Sequence, residues 1–399
     1  MPRHLPPTAV PLTRSDLKGG LRPTPHARAQ FRLALARYLD VPICKLAASG
    51  RTALYLLLKE LRQAADHAGR RQVVLPAYTC PAVARVVLDA GLQPRLVDIA
   101  PHSLAFQEER LEASLGEHTL AVICVHPFGI PAPIDPIRAL AQTVGATVIE
   151  DAAQAMGARL NGRPVGTWGD FGLFSLGPGK PLSTGSGGVL CARQERHAGL
   201  LERAWAGLRH PPAGASAWAM LRLVLGRLVF HPTGWWLGAR AGLQRLGEHE
   251  ASWGYALRGL SQAQAAVGLE LLGRLDTING QRQDNARRLI DRLAGMDFLH
   301  IPLPAETAEP IYLRLPLLID DEGRRERLFQ RLWRAGIGVG RMYRHALPHY
   351  FPQAAGDALY PGAEYVARHL LTLPTHHYLT DRDVEQIVGI FQAEQPARL

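Results

Sequence analysis

From residue 73 to residue 192 the chain alternates short apolar runs with segments of helical spacing, and this alternation limits its fold more than any other feature. The runs are VVLP (73–76), RLVDI (95–99), AVICVH (121–126), TVIED (147–151), FGLFSL (171–176) and GGVLCA (187–192), with helical periodicity over 81–90 and 134–144. A strand followed by a helix returns parallel to itself, because the connection is too long for a hairpin. The expected fold class is therefore α/β, with a mostly parallel sheet covered by helices on both faces.

The flanks of this region read differently. Residues 1–25 are Pro-rich and read as an extended N-terminal arm. FRLALARYLD and TALYLLLKELRQAADHAG are apolar at helical spacing and flank the short segment KLAASGR. A large domain over 26–260 follows, then a connecting helix and a smaller C-terminal α+β domain over 261–399. The connecting pattern at 262–296 carries one Asn-Gly interruption, Asn279-Gly280. A length of 399 residues suits two such domains.

The most apolar stretch, 216–243, is interrupted by Arg222 and Arg227 and broken at His231-Pro232, so it is too short to span a bilayer. A buried helix or subunit contact is one reading. An interfacial helix making peripheral membrane contact, with Trp235, Trp236 and snorkelling arginines, is the other. The net charge of +10 is spread over helical patterns without a basic tract, which argues against nucleic acid as a partner. Cys44, Cys80, Cys124 and Cys191 lack CxxC spacing, so zinc and disulfide frameworks are not expected. The first twenty residues hold no apolar run of signal-peptide length, and a cytoplasmic location is the default expectation.

Lysine is scarce. Of 45 Lys plus Arg only Lys18, Lys45, Lys59 and Lys180 are lysines, and the last stands alone in the Gly/Pro/Ser loop SLGPGKPLSTGSGG. Arginine can hold an anion, but it stays protonated and cannot act as an amine nucleophile. A phosphate-binding P-loop would need glycine at Phe174 and Ser or Thr at Pro181, so that reading fails. The remaining reading is an amine that forms a Schiff base with an electron-sink cofactor, pyridoxal 5'-phosphate (PLP). PLP needs a carboxylate beside its ring nitrogen, and TVIEDAAQ ends an apolar run on Glu150 and Asp151, with Gln154 three residues on. It also needs a phosphate cup, for which Ser49-Gly50-Arg51-Thr52 at a helix start and Ser175 are candidates. Taken singly, Asp151 is equally a helix cap and Ser49–Thr52 a capped helix start.

In combination these segments resemble the DegT/DnrJ/StrS family of PLP-dependent sugar aminotransferases. The resemblance rests on SGRTAL (49–54), LPAYTCPAVARVVLDAGLQPRLVDI (75–99), VHPFGIPAPIDPIRALAQTVGATVIEDAAQAMGA (125–158), VGTWGDFGLFSLGPGKPLSTGSGG (165–188), QAQAAVGLELLGRLD (262–276) and LPTHHYLTDRDVEQIV (373–388). It implies a type I aspartate aminotransferase fold with a seven-stranded-type sheet, and a homodimer with shared active sites. It also implies that Lys180 carries the cofactor and moves protons, and that Asp151 pairs with the pyridinium. Gln154 would contact the ring oxygen, while Ser175 and the Ser49–Thr52 turn would hold the phosphate. The implied reaction moves an amino group from glutamate to a keto sugar carried on a nucleoside diphosphate. A lipid-linked or other non-nucleotide ketone is the alternative acceptor, and a non-catalytic PLP-binding regulator is the reading from another class.

Several positions depart from the family pattern. Arg51 replaces a threonine, Ser186 replaces a glutamate, and Cys80 stands where an aromatic usually stacks on the cofactor ring, which leaves Tyr78 or another residue to cover that face. Tyr343, His345 and His349 are the candidates to face the substrate.

Overall fold

The computed structural model describes residues 3–9, 11–64, 69–240, 254–302 and 304–395. Seven strands form the central sheet: β1 Ile43–Ala47, β2 Gln72–Pro76, β3 Gln93–Val97, β4 Thr119–Val125, β5 Thr147–Asp151, β6 Phe171–Ser175 and β7 Gly188–Ala192. Their order across the sheet is β1-β7-β6-β5-β4-β2-β3. All neighbours are parallel except at β7, which runs antiparallel to both β1 and β6. The sequence expectation of a mostly parallel sheet holds. Strand β1 ends within the segment KLAASGR, and five residues between two helical patterns do not reveal it by periodicity.

Helices cover both faces, so the strands bury both of theirs. On one side Phe31, Leu35, Ile134, Ile137 and Val267 pack against Val122 and Phe174. On the other, Leu54, Leu57, Val83 and Val87 pack against Ile123 and Phe171. A third apolar cluster lies in the C-terminal unit, where β8 Leu299–His300, β9 Leu315–Ile319 and β10 Leu370–Leu373 form an antiparallel sheet beneath Leu328, Leu332, Ile387 and Phe391.

Two local expectations are corrected. The helix Leu275–Leu293 runs through Asn279-Gly280 without a break. Asn279 is buried there, donating to the Met156 carbonyl at 3.1 Å and accepting from Arg282 at 2.7 Å, and the helical pattern is interrupted at Gly273-Arg274 instead. The N-terminal segment is extended only at its start. Thr13 and Asp16 form a capping box that opens the helix Arg14–Leu21, which packs on the helix Gln262–Leu272. Residues 3–9 are tied to the C-terminal unit: Leu5 is fully buried and bridges Ile337, and Arg3 pairs with Asp383 at 2.7 Å.

The apolar stretch forms the helices Ala215–Val229 and Pro232–Arg240, separated where Pro232 was expected to break them; residues 241–243 lie outside the described residues. Met220 and Leu223 are buried, while Trp218, Leu221, Leu225 and Leu228 form an exposed stripe. No helix among the described residues is long and apolar enough to cross a membrane.

Candidate active site

Consecutive residues of a strand face opposite sides, so Glu150 and Asp151 part at the end of β5. Glu150 is fully buried and accepts four bonds: from His126 Nε2 at 2.9 Å and from the N–H groups of Gly166, Trp168 and Gly169 at 2.8, 2.6 and 2.7 Å. His126 Nδ1 accepts the Ala132 N–H at 2.9 Å, which assigns the ring proton to Nε2. Burial opposes the charge on Glu150, yet His126 and the N–H donors outweigh it and hold the carboxyl below the usual range. Glu150 is therefore an anion that ties the 166–169 turn to the sheet.

Asp151 takes the other face. It is buried and accepts one N–H, from Ala153 at 3.1 Å. Burial raises its pKa, and the nearby Lys180 pulls it back. Lys180 lies in the connection between β6 and β7, closed at its base by the Leu176 N–H donating to the Gly187 carbonyl at 2.9 Å. The residue before it, Gly179, sits at φ +71°, where a side chain would also strike Thr8 of the N-terminal segment. Burial lowers the pKa of the Lys180 amine; Cys80 and Asp151 oppose this and Arg314 adds to it. The amine is thus easier to deprotonate than a free lysine, as a nucleophile requires.

The two serine-bearing segments meet although they are 126 residues apart. Ser49 caps the helix Gly50–Gln63, accepting the Thr52 N–H at 3.1 Å, and Thr52 Oγ1 donates to the Ala256 carbonyl at 2.9 Å. Strand β7 begins hard against this turn: a Cβ on Gly188 would lie 2.4 Å from the Ser49 carbonyl carbon. A Cβ on Gly50 would lie 3.6 Å from that of Ser175, so Ser175 stands at the helix N-terminus. There the first-turn N–H groups lack intrahelical partners and the helix dipole favours an anion. Arg51 lines the cavity beside this turn.

Gln154 accepts the Phe128 N–H at 3.1 Å and donates to the Tyr343 hydroxyl at 3.2 Å. Tyr343 hydrogen-bonds Cys80 in turn and is fixed at φ +49°, a left-handed conformation rare for a buried tyrosine. Tyr78 donates its hydroxyl to the Met342 carbonyl and meets Tyr343 edge-on with centroids 5.7 Å apart. His345 and His349 are not brought to this cluster. Both are exposed and stack on each other at 3.9 Å, because the turn that buries Met342 and Tyr343 directs the residues after it outward.

Lys180 and Asp151 are electrostatically coupled, Ser175 stands at a helix N-terminus, and a buried guanidinium nitrogen of Arg314 has no hydrogen-bond partner. This donor set fits PLP: an amine for its aldehyde, an acid for its ring nitrogen, and N–H and hydroxyl donors for its phosphate. Sequence reasoning missed Arg314, and also the His126–Glu150 pair, whose only signal was the two adjacent acids of TVIED.

Fold and site together define the class, the PLP-dependent aminotransferases of type I fold. The chain belongs to the DegT/DnrJ/EryC1/StrS aminotransferase family, whose model matches residues 17–392. It is 32% identical over 309 residues to the L-glutamine:2-deoxy-scyllo-inosose aminotransferase of Streptoalloteichus tenebrarius, a match covering 77% of this chain and 66% of that one. It is 40% identical over 164 residues to the UDP-N-acetyl-3-dehydro-alpha-D-glucosamine 3-aminotransferase of Acidithiobacillus ferrooxidans, covering 41% and 42%. The matches therefore span less than two thirds of these curated relatives' own length. Among solved structures, the aminotransferase TlmJ from Streptoalloteichus hindustanus superposes with a TM-score of 0.76 at 25% identity, covering 98% of each chain.

Proposed function

We propose that the protein transfers an amino group from glutamate to a keto sugar, with PLP as cofactor and two subunits sharing their active sites. The observation that carries this reading is the coupling of Lys180 to Asp151 beside a helix-capped anion site at Ser49–Thr52 and Ser175. PLP, when bound, supplies the electron sink that lets an amino group pass between carbons. Asp151, with burial raising its pKa, gains most from a cation on the ring nitrogen. Lys180 Nζ, its pKa lowered by burial, accepts and returns the proton more readily than a free lysine. Gln154, held by Phe128 and Tyr343, orients a ring oxygen, while the Gly50 helix and Ser175 anchor the phosphate.

A nucleoside diphosphate as the carrier of the sugar is supported by the cavity of about 540 Å³ that opens beside Ser49. Arg51, Arg222 and Arg258 line it together with Trp218 and Tyr255, and no acidic residue does among the described residues. Cations for phosphate and aromatic rings for a base suit such a ligand. A second acceptor class, a cyclitol or other non-nucleotide ketone, is favoured by the substrate named in the Streptoalloteichus relative.

The test is a pair of half-reactions. Glutamate should bleach the visible band of the PLP-loaded protein and release 2-oxoglutarate, and a UDP-linked keto sugar should restore the band. Lys180→Ala should lower the first step by about 1000-fold or more. Transamination retained in Lys180→Ala, or no response of the wild type to any amino acid, overturns the proposal. Restoration by a cyclitol ketone but not by UDP-linked ketones selects the second acceptor class.

A further inference from the structure

The helix Ala215–Val229 buries one face and leaves the opposite one open. Ala219, Met220 and Leu223 are buried, whereas Trp218, Leu221, Val224, Leu225 and Leu228 are each between 37 and 60% exposed. At about 100° of turn per residue these five fall within an arc of roughly 120°, opposite the buried side. A surface helix normally carries its charges on that arc, but here the arc is apolar and Arg222 flanks it. Of the ten large apolar side chains exposed among the described residues, five lie on this one helix. Scattered apolar surface is ordinary; a contiguous strip marks a face that something covers.

The charge around the strip has one sign. From Arg203 to Gly247 the chain has six arginines and no Asp or Glu, so this segment supplies more than half of the net charge of +10. Arg203 is offset by Glu60 at 2.5 Å. Arg209 and Arg222 are exposed, and Arg227 donates to the Leu12 carbonyl at 2.9 Å, a neutral partner. The tryptophan on the open face is Trp218. Trp235, which the sequence offered for an interfacial role, is 1% exposed and stacks on Phe230 instead.

Strip and charge together select the occupant. A second copy docking through the same strip would bring the arginines of both copies together, with no carboxylate in the segment to pair them. An anionic bilayer satisfies both properties: acyl chains take the leucines, lipid phosphates take the arginines, and an indole suits the boundary between them. No helix among the described residues can cross a membrane, so such a contact involves one leaflet only.

We propose that this helix seats the protein on a membrane surface rich in anionic lipid. It lies in the plane of the headgroups, with Leu221, Leu225 and Leu228 among the upper acyl chains and Arg222 at the phosphates. Trp218 and Arg222 also line the cavity beside Ser49, so seating sets the mouth of that cavity next to the headgroups. The seating uses neither Lys180 nor the cofactor and stands independently of the amino-transfer reading.

Co-sedimentation of the full chain with lipid vesicles tests it. Vesicles of phosphatidylcholine with about one third phosphatidylglycerol should bind the wild type about 10-fold or more tightly than pure phosphatidylcholine, and raising the salt from about 0.1 to 0.5 M should remove most of that difference. Leu225→Ser combined with Leu228→Ser should weaken binding by about 100-fold. This double variant should melt with the wild type, because both side chains face solvent. Lipids brominated in the upper acyl chain should quench the tryptophan emission of the wild type, and Trp218→Phe should lose most of that quenching. Absence of wild-type binding to the anionic vesicles at low salt overturns the proposal, as does equal binding to neutral and anionic vesicles. Undiminished binding of the double variant also overturns it. If the double variant changes the oligomeric state of the free protein, the strip is a contact between copies and the proposal falls.

Discussion

At the scale of single residues, two neighbouring acids at the end of one strand do different work because the pleat sends them to opposite faces. Asp151 remains under-bonded beside Lys180, whereas Glu150 has four donors. Replacing Glu150 by Gln should cost about 2–4 kcal/mol, since three N–H groups and His126 lose their anion inside the protein. The pH dependence follows from the lowered folded pKa. The unfolded chain takes up this proton first, near pH 4.3, so the stabilisation is complete above that pH and is lost as the pH falls towards the folded value. Urea unfolding from pH 7 to 3 should therefore show a shallower acid slope for Glu150→Gln than for the wild type; equal slopes would remove Glu150 from the account. Lys180 and Asp151 were legible in the sequence because one is a rare residue type and the other ends an apolar run. Arg314 was not legible, because arginine is the chain's default cation and only burial without a partner sets one apart.

At the scale of elements, the proposed anion site is a junction of two pieces, the start of the helix Gly50–Gln63 and the hairpin-like pair β6 and β7. The junction depends on backbone contact: a side chain on Gly188 would have to displace the Ser49 carbonyl carbon from 2.4 Å. Gly188→Ala should lower stability by about 1–3 kcal/mol or more, in the manner of an overpacked core. It should also weaken PLP binding, because the helix start can no longer stay against Ser175. Absorbance titration with PLP checks the second effect, and unchanged affinity would separate the junction from the cofactor site. The helix start was readable from Ser49-Gly50-Arg51-Thr52, and the loop from its glycines. That the two meet was not, since no local pattern records an approach of segments so far apart in the chain.

At the scale of the whole molecule, the N-terminal segment fastens the two ends of the chain together. His376 Nε2 donates to the Pro6 carbonyl at 2.9 Å, and Leu5 pairs with the strand-like segment at Ile337. Burial lowers the pKa of His376 to about 3; the Pro6 bond opposes this, while His377, Arg282 and Arg314 add to it. Below pH 6.5 the unfolded chain binds this proton and the folded chain does not, so stability should fall by about 1.4 kcal/mol per pH unit down to about pH 3. Thermal melts should show this slope in the wild type and a flatter one in His376→Gln, which keeps an N–H donor for Pro6. A parallel pair of slopes would mean that other groups drive the acid loss.

The sequence by itself determined the α/β class, the order of sheet segments from 73 to 192, and the residue types needed for Schiff-base chemistry, because periodicity and chemical identity are local properties. Tertiary structure alone decided which of two adjacent acids faces the amine, and that Tyr343 joins Gln154 and Cys80 while His345 and His349 point outward. It also decided that a buried arginine from the C-terminal unit comes near enough to Lys180 to help lower its pKa. These depend on burial and on contacts between distant segments, where desolvation sets the charge of a group, and no window of sequence carries that information. The lone lysine marked the place proposed for the chemistry; the packing around it lowered its basicity.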